Sequence, residues 1–416
     1  MKKLITVLIL ILLCFGCVMS WRAGQLPPGS AVSAAEPAAE PAAVPAGETP
    51  TPPDLPLSGE GAAAAEAEFR HLDEAALAAL YPADEVVLRL AGEEIRWGET
   101  RDWLCMTAAQ IEDYFSQMAA YYGLAADWEG SVGDEQGTSF ARYTVEETRE
   151  SMERLAATRA FARSLGAALD AGELAKLDAQ AMAEQALGAG ATVEEFSQRL
   201  EQDMHMSLDS YRSMSEANAL YSKCLDLLYG AAGEKLDEAE AVRWLEEGGY
   251  LSAGHILLMT IDPNTGDSLE SAELEAKRAK AEELSAELAA ITEPETLLRR
   301  FAELKQEYCE DGGKTLYPDG YTFTPGTMVT EFEDAVRGLA DYGVSRPVQT
   351  SYGYHVILRL PLRGDSLLYS VQGTPATARQ ELAYRALAED YERFTAENPA
   401  VWAEGVETLD LLAYLK

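Results

Sequence analysis

The spacing of apolar and polar positions changes character several times along the chain. From Leu4 to Phe15 the residues are almost unbroken apolar ones behind Met1-Lys2-Lys3. That run is too short for a comfortable membrane span of roughly 20 residues and has the length of a secretory h-region. From Ala23 to about Ala65 the chain is mostly Ala, Pro, Glu and Gly, a segment with too little to bury, which predicts a disordered tether. Ordered sequence begins near Phe69, and 85–97 reads as two short strands around Ala91-Gly92, a hairpin. Helical spacing then predicts helices over 107–122, 145–168, 171–187, 192–205 and 208–229, with Gly188 and Gly190 as stops. Met152, Leu155, Ala156 and Ala160 recur at steps of three and four, as do Phe161, Leu165 and Ala168. Both sets read as core-facing stripes.

Past Leu251 the texture shifts. A strand is predicted over 252–260, helices over 270–290 and 294–308, and a Gly- and Pro-punctuated loop over 309–326. A helix over 328–342 and a closing strand over 353–360 complete a compact α+β unit. One more amphipathic helix is predicted over 377–398, and the apolar segment 407–415 could return to pair with another strand. The expected division is an export segment at 1–22, the tether at 23–68 and a helical domain at 69–242. An α+β domain at 243–363 and a C-terminal helix and strand at 364–416, packing back on the body, follow.

Charge removes one class of partner. The formal charge is −37 and no basic stripe appears, so nucleic acid is not expected to bind. Five cysteines are present, Cys14 and Cys17 in the apolar leader and Cys105, Cys224 and Cys309 far apart. They show no close metal-binding spacing and are expected to be unpaired or buried thiols. Leu13-Cys14-Phe15-Gly16-Cys17 resembles a bacterial lipoprotein signal, in which a small residue precedes an acylated cysteine. Gly16 and Cys17 fit that pattern, whereas Cys14 and Phe15 depart from it. The resemblance implies lipidation at Cys17 and an anchor on the outer face of the cell membrane; an uncleaved anchor is the alternative.

Six motifs in order carry a second resemblance. They are Gly254-His255-Ile256-Leu257, Tyr308-Cys309-Glu310-Asp311 and Phe323-Thr324-Pro325-Gly326-Thr327-Met328-Val329, then Glu331-Phe332-Glu333-Asp334-Ala335, Gly343-Val344-Ser345-Arg346-Pro347-Val348 and Thr350-Ser351-Tyr352-Gly353-Tyr354-His355-Val356-Ile357. The stretch from Ser252 to Leu360 resembles a parvulin-type peptidyl-prolyl isomerase domain. The whole layout is similar to PrsA/SurA-like extracytoplasmic foldases. The resemblance implies a helical, chaperone-like N-terminal domain and a small antiparallel sheet with surrounding helices. It assigns catalytic roles to His255, Asp311 and His355, with Asp311 facing the substrate carbonyl and the two imidazoles sharing a hydrogen bond across adjacent strands. It assigns the proline slot to Phe323, Met328 and Phe332, and support of the histidine pair to Thr350. Where the family has an aliphatic residue three before Phe323, this chain has Gly320. Tyr317 or Tyr321 would then supply that wall, and the loop Asp311-Gly312-Gly313-Lys314 also departs from the commoner pattern.

The chemistry of the residues agrees. Rotation about an X–Pro bond faces a barrier of about 18–20 kcal/mol because the amide is partly double-bonded. A catalyst of that rotation needs no cofactor, metal or nucleophile, only an apolar slot for the ring and polar groups that favour the twisted amide. Met328 and Phe332, four apart, are expected on one face of a helix. Only four histidines occur, and two of them fall at both family positions. The expected activity is peptidyl-prolyl isomerisation on unfolded or partly folded exported polypeptides. A holdase with a weak or inactive rotamase unit is the alternative, and an acidic envelope protein without enzymatic role is a third reading. From Ile256 to Ser271 there is no Lys or Arg, while Asp262, Asp267 and Glu270 are present, so a phosphorylated residue before proline is not expected as substrate.

Overall fold

A computed structural model describes residues 69–122, 126–134, 136–184, 192–262, 265–370 and 375–416. The leader, the tether, Cys17, Gly188 and Gly190 lie outside them. In chain order the elements begin with α1 (Glu74–Ala78), β1 (Val86–Leu90), β2 (Glu93–Arg96), α2 (Trp97–Tyr122), α3 (Phe140–Ser164) and α4 (Ala171–Glu184). Next come α5 (Val193–Met204), α6 (Leu208–Tyr229), α7 (Glu238–Glu247), β3 (Leu251–Met259), α8 (Ser271–Ala289) and α9 (Pro294–Tyr308). The last are β4 (Tyr321–Phe323), α10 (Thr330–Arg337), β5 (Val348–Gln349), β6 (Gly353–Leu360), α11 (Ala378–Glu397) and β7 (Val401–Trp402). Among the described residues the chain forms two units, 69–228 with 387–416, and 229–386.

The first unit is mostly helical. Its hairpin turns through Ala91 and Gly92, both with positive φ, as the sequence pattern predicts. The helix expected from residue 107 begins ten residues earlier, at Trp97, whose ring is buried in the core with Phe115, Trp128 and Phe140. α5 follows its sequence signals: Thr192 and Glu195 form a reciprocal capping box and His205 closes the helix in the left-handed conformation. The C-terminal segment completes this core. β7 pairs with the outer edge of β1, Leu415 bridges Leu72, and Val406 and Leu411 are buried beside Trp97. The segment expected to return and pair over 407–415 does so only at its end, through the Leu415–Leu72 bridge; the strand proper lies earlier, at Val401–Trp402, and 411–414 is a turn of 3-10 helix.

The second unit is built on an antiparallel four-stranded sheet in the order β4-β3-β6-β5. β3 is buried along almost its whole length, as a central strand must be. Its even-numbered residues Ile256 and Leu258, with Val356 and Leu358 of β6, pack under α8 and α9 against Leu284, Leu288, Leu297 and Phe301. Gly254 belongs to that face because a Cβ there would lie 2.9 Å from the Phe301 ring. The opposite face presents Leu251, Ala253 and Ile357 to Phe323, Phe332 and Val336. Strand alternation places His255 and His355 on this second face. β4 falls inside the segment read from sequence as loop; three residues are too few to show a period. The helix expected over 328–342 is shorter at both ends, since Met328 lies in a bend before it and Gly338 ends it.

Candidate active site

His255 and His355 sit on neighbouring strands in a diagonal register, because His255 pairs with Ile357 and His355 with Leu257. Their ring centroids are 5.1 Å apart at an interplanar angle of 65°. The hydrogen bond expected between them is not formed. Each imidazole spends its Nε2 elsewhere, and the buried Nδ1 atoms of both have no partner. His255 Nε2 lies 3.0 Å from Asp311 Oδ2, and His355 Nε2 lies 2.9 Å from Thr350 Oγ1. The Thr350 hydroxyl also accepts the Tyr352 N–H at 3.1 Å, which fixes it against β6.

Asp311 is the centre of this arrangement. Its Oδ2 accepts from both His255 Nε2–H and the Tyr321 phenol, and its Oδ1 accepts the Gly313 N–H at 3.0 Å. Burial pushes the carboxyl up, yet the donors from His255, Tyr321 and Gly313 outweigh it and hold Asp311 well below the usual carboxylate range. An ionised carboxylate can only accept, so the proton of the neutral His255 ring sits on Nε2. Burial lowers the His255 pKa, but the bond to Asp311 reverses that and raises it overall. For His355 burial and the neighbouring His255 act in the same direction and push its pKa down to about 3, so this ring is neutral.

The apolar half of the site faces these groups. Phe332 sets its edge against both imidazoles, with centroids at 5.4 Å from His255 and 5.5 Å from His355, and Phe323 lies 6.0 Å beyond it. Met328 packs on the same cluster, but from the bend before α10 and not from the helix face. Glu333 explains why. Val329 at the helix start has no side-chain cap, and the Glu333 carboxylate accepts the Met328 and Gly326 N–H groups at 2.9 and 3.1 Å, drawing the loop back over the helix. Every catalytic or slot residue assigned from sequence thus lies in one neighbourhood, Tyr321 enters it as a partner of Asp311, and two residues not foreseen join it. Glu333 is one. The other is Lys305, buried in α9, which donates to the carbonyls of Tyr317 and Pro318 at 3.0 and 2.9 Å and ties down the loop leading into β4. A lysine on the apolar stripe of α9 was the available signal for it. Cys309 is buried, with its sulfur taking the Leu257 N–H at 3.4 Å and lying 3.7 Å from the His255 carbonyl oxygen; burial pushes its thiol pKa up, but the neighbouring His255 outweighs it and draws the pKa down.

Comparison with known proteins matches this region. Residues 255–360 fit the family model for the rotamase, PPIC-type PPIASE domain. This segment is a parvulin-type rotamase domain. Within curated proteins the chain is similar to Chaperone SurA of Chromohalobacter salexigens, 38% identical over 98 residues, which is 23% of this chain and 22% of that protein. It is also similar to Foldase protein PrsA of Geobacillus sp., 48% identical over 60 residues, 14% of this chain and 21% of that protein. The matches therefore span about a fifth of these relatives' length. Among solved structures, PrsA from Bacillus subtilis aligns over 64% of this chain and 89% of its own, with 16% identity and a TM-score of 0.27.

The rotamase domain's neutral His355 has a consequence for stability. The unfolded imidazole takes a proton near pH 6.5, whereas the folded one resists it until about 3. Between those values only the unfolded chain gains the proton, so stability falls as pH drops. His255, raised in the folded state, has the opposite sign and contributes its slope above pH 6.5, and Asp311 contributes below the ordinary carboxylate range. Urea unfolding of the domain followed from pH 6 to pH 4 should therefore lose up to about 1.4 kcal/mol per pH unit that a His355→Asn variant does not lose. Equal slopes in the two proteins would contradict a neutral, buried His355.

Proposed function

We propose that the protein is a peptidyl-prolyl cis–trans isomerase that assists the folding of exported polypeptides outside the cytoplasmic membrane. The observation that carries this reading is the Asp311–His255 hydrogen bond on the sheet face that also holds the Phe323–Phe332 cluster. A proline ring enters the slot of Phe323, Met328 and Phe332, leaving its preceding carbonyl beside the polar groups. In the planar amide the carbonyl oxygen carries negative charge through resonance, and that charge recedes as the bond twists. An ionised Asp311 facing the oxygen disfavours the planar form more than the twisted one, which is the differential binding that lowers a barrier. His255 keeps Asp311 in place, the His355 ring packs against His255, and Thr350 holds His355. The reaction makes and breaks no covalent bond, so it calls on no nucleophile.

The helical unit favours a second activity beside the first. A cavity of about 250 Å³ opens between α4 and α6, where Leu174, Leu177 and Tyr211 lie beside the Asp178–Arg212 ion pair, and it is a candidate contact for the apolar and polar groups of an unfolded chain. The division of labour proposed follows the two units of the fold: a client-holding body, residues 69–228 with 387–416, and catalysis by the unit 229–386. The body is exported and held by lipid at Cys17.

Three measurements test this. With a denatured protein whose refolding is limited by proline isomerisation, catalytic amounts of the chain should speed the slow phase, and His255→Ala should remove most of that effect. A wild-type chain that only delays aggregation and leaves the slow phase untouched would leave the holdase reading in its place. On matched peptides, phosphorylation of the residue before proline should leave the catalysed rate equal or lower; a several-fold gain would contradict the proposed substrate class. Mass spectrometry of the native protein should find a diacylated N-terminus at Cys17, and an unmodified chain starting at Met1 would argue for the uncleaved anchor.

A further inference from the structure

We propose that Tyr321 is a positioning residue of this rotamase site, its phenol holding Asp311 in the orientation that fixes His255. The inference rests on the isomerase reading and adds to it a residue outside the set that the family resemblance assigns. Tyr321 is buried in β4, opposite Ala253 of β3, and its hydroxyl donates to the same Asp311 oxygen that receives His255 Nε2–H. Two donors on one oxygen leave that oxygen no freedom to rotate, and Gly313 occupies the other.

The surroundings are shaped for this phenol. A Cβ on Gly313 would lie 2.2 Å from the Tyr321 hydroxyl oxygen, so only glycine there lets the hydroxyl reach the carboxylate. Gly320, just before it, has φ +110, and a Cβ there would lie 2.7 Å from the Ala253 carbonyl. These are the positions where the chain departs from its family's pattern, and both departures serve one side chain. Tyr317 and Tyr369 pack against the ring, with centroids at 4.7 and 5.5 Å. Tyr369 arrives on a segment beyond the matched domain that runs along the outer edge of β4: Thr322 N–H donates to Leu367 O at 3.2 Å and Tyr369 N–H to Thr322 O at 2.7 Å. The phenol is therefore held by parts of this chain that a minimal rotamase domain, ending at residue 360, lacks.

The ionisable groups around Asp311 are His255 and Tyr321 in contact, with Cys309, Lys305, His355 and Tyr369 behind them. Of the two in contact, only Tyr321 can be stripped of its donor without a change of shape. The test uses the full chain, with peptide cis–trans exchange and with the NMR titration of the Asp311 carboxyl carbon. Tyr321→Phe should lower kcat/KM about tenfold, the lower end of what a hydrogen bond to a charged group contributes. Its Asp311 carboxyl should also titrate at a higher pH than in the wild-type chain. Gly313→Ala, which displaces the hydroxyl without touching the tyrosine, should do the same, and the double variant should be no worse than Tyr321→Phe alone. An unshifted carboxyl titration in Tyr321→Phe, or losses that add in the double variant, would overturn the proposal. If the wild-type chain proved inactive on every peptide, the isomerase reading would fall, while the carboxyl titration would still decide whether Tyr321 holds Asp311.

Discussion

A buried carboxylate is the constraint around which the rotamase domain is arranged. Removing an ion from water costs several kcal/mol, and the cost is met only where donors replace the lost solvent. Asp311 finds those donors on three separate pieces of chain: His255 on β3, Gly313 in the turn after α9 and Tyr321 on β4. None of these pieces can move without leaving charge uncompensated. The hydrogen bonds therefore hold the turn, the edge strand and the central strand in register, and the aromatic slot is in register with them because Phe332 abuts both imidazoles.

This economy suits the proposed reaction, which is only a rotation. At the two ends of the network the shifts run away from neutrality. Asp311 is driven deeper into its charged state and His355 deeper into its neutral state, so that neither changes protonation across the physiological range. A fixed field and a fixed shape are what a twisting amide can use.

Most of the architecture was legible in the chain, and the exceptions have physical causes. Long amphipathic helices such as 208–229 and 294–308 were read to the residue, because many periods of burial average out local noise. The three residues of β4 offered no period to read, and Met328 left its helix because a side chain five residues on, Glu333, captured the backbone of its loop. Family motifs brought His255, Asp311, His355, Phe323, Phe332 and Thr350 together correctly in space. They misjudged how the imidazoles are bonded, since the partner of a ring nitrogen depends on distances no motif records. Gly320 was visible as a departure from pattern, but its reason, room for the backbone beside Ala253 and a lead into Tyr321, required coordinates.

The central claim is that a charged, fully bonded Asp311 beside an apolar slot lowers the barrier to rotation about an X–Pro bond. The most direct measurement is NMR exchange on an unphosphorylated Ala-Pro peptide with substoichiometric protein, comparing the wild-type chain with Asp311→Ala. The account predicts exchange between cis and trans peaks with the wild-type chain and its near-complete loss in the variant, although the variant still binds the peptide. Undiminished exchange in a folded Asp311→Ala chain would contradict it.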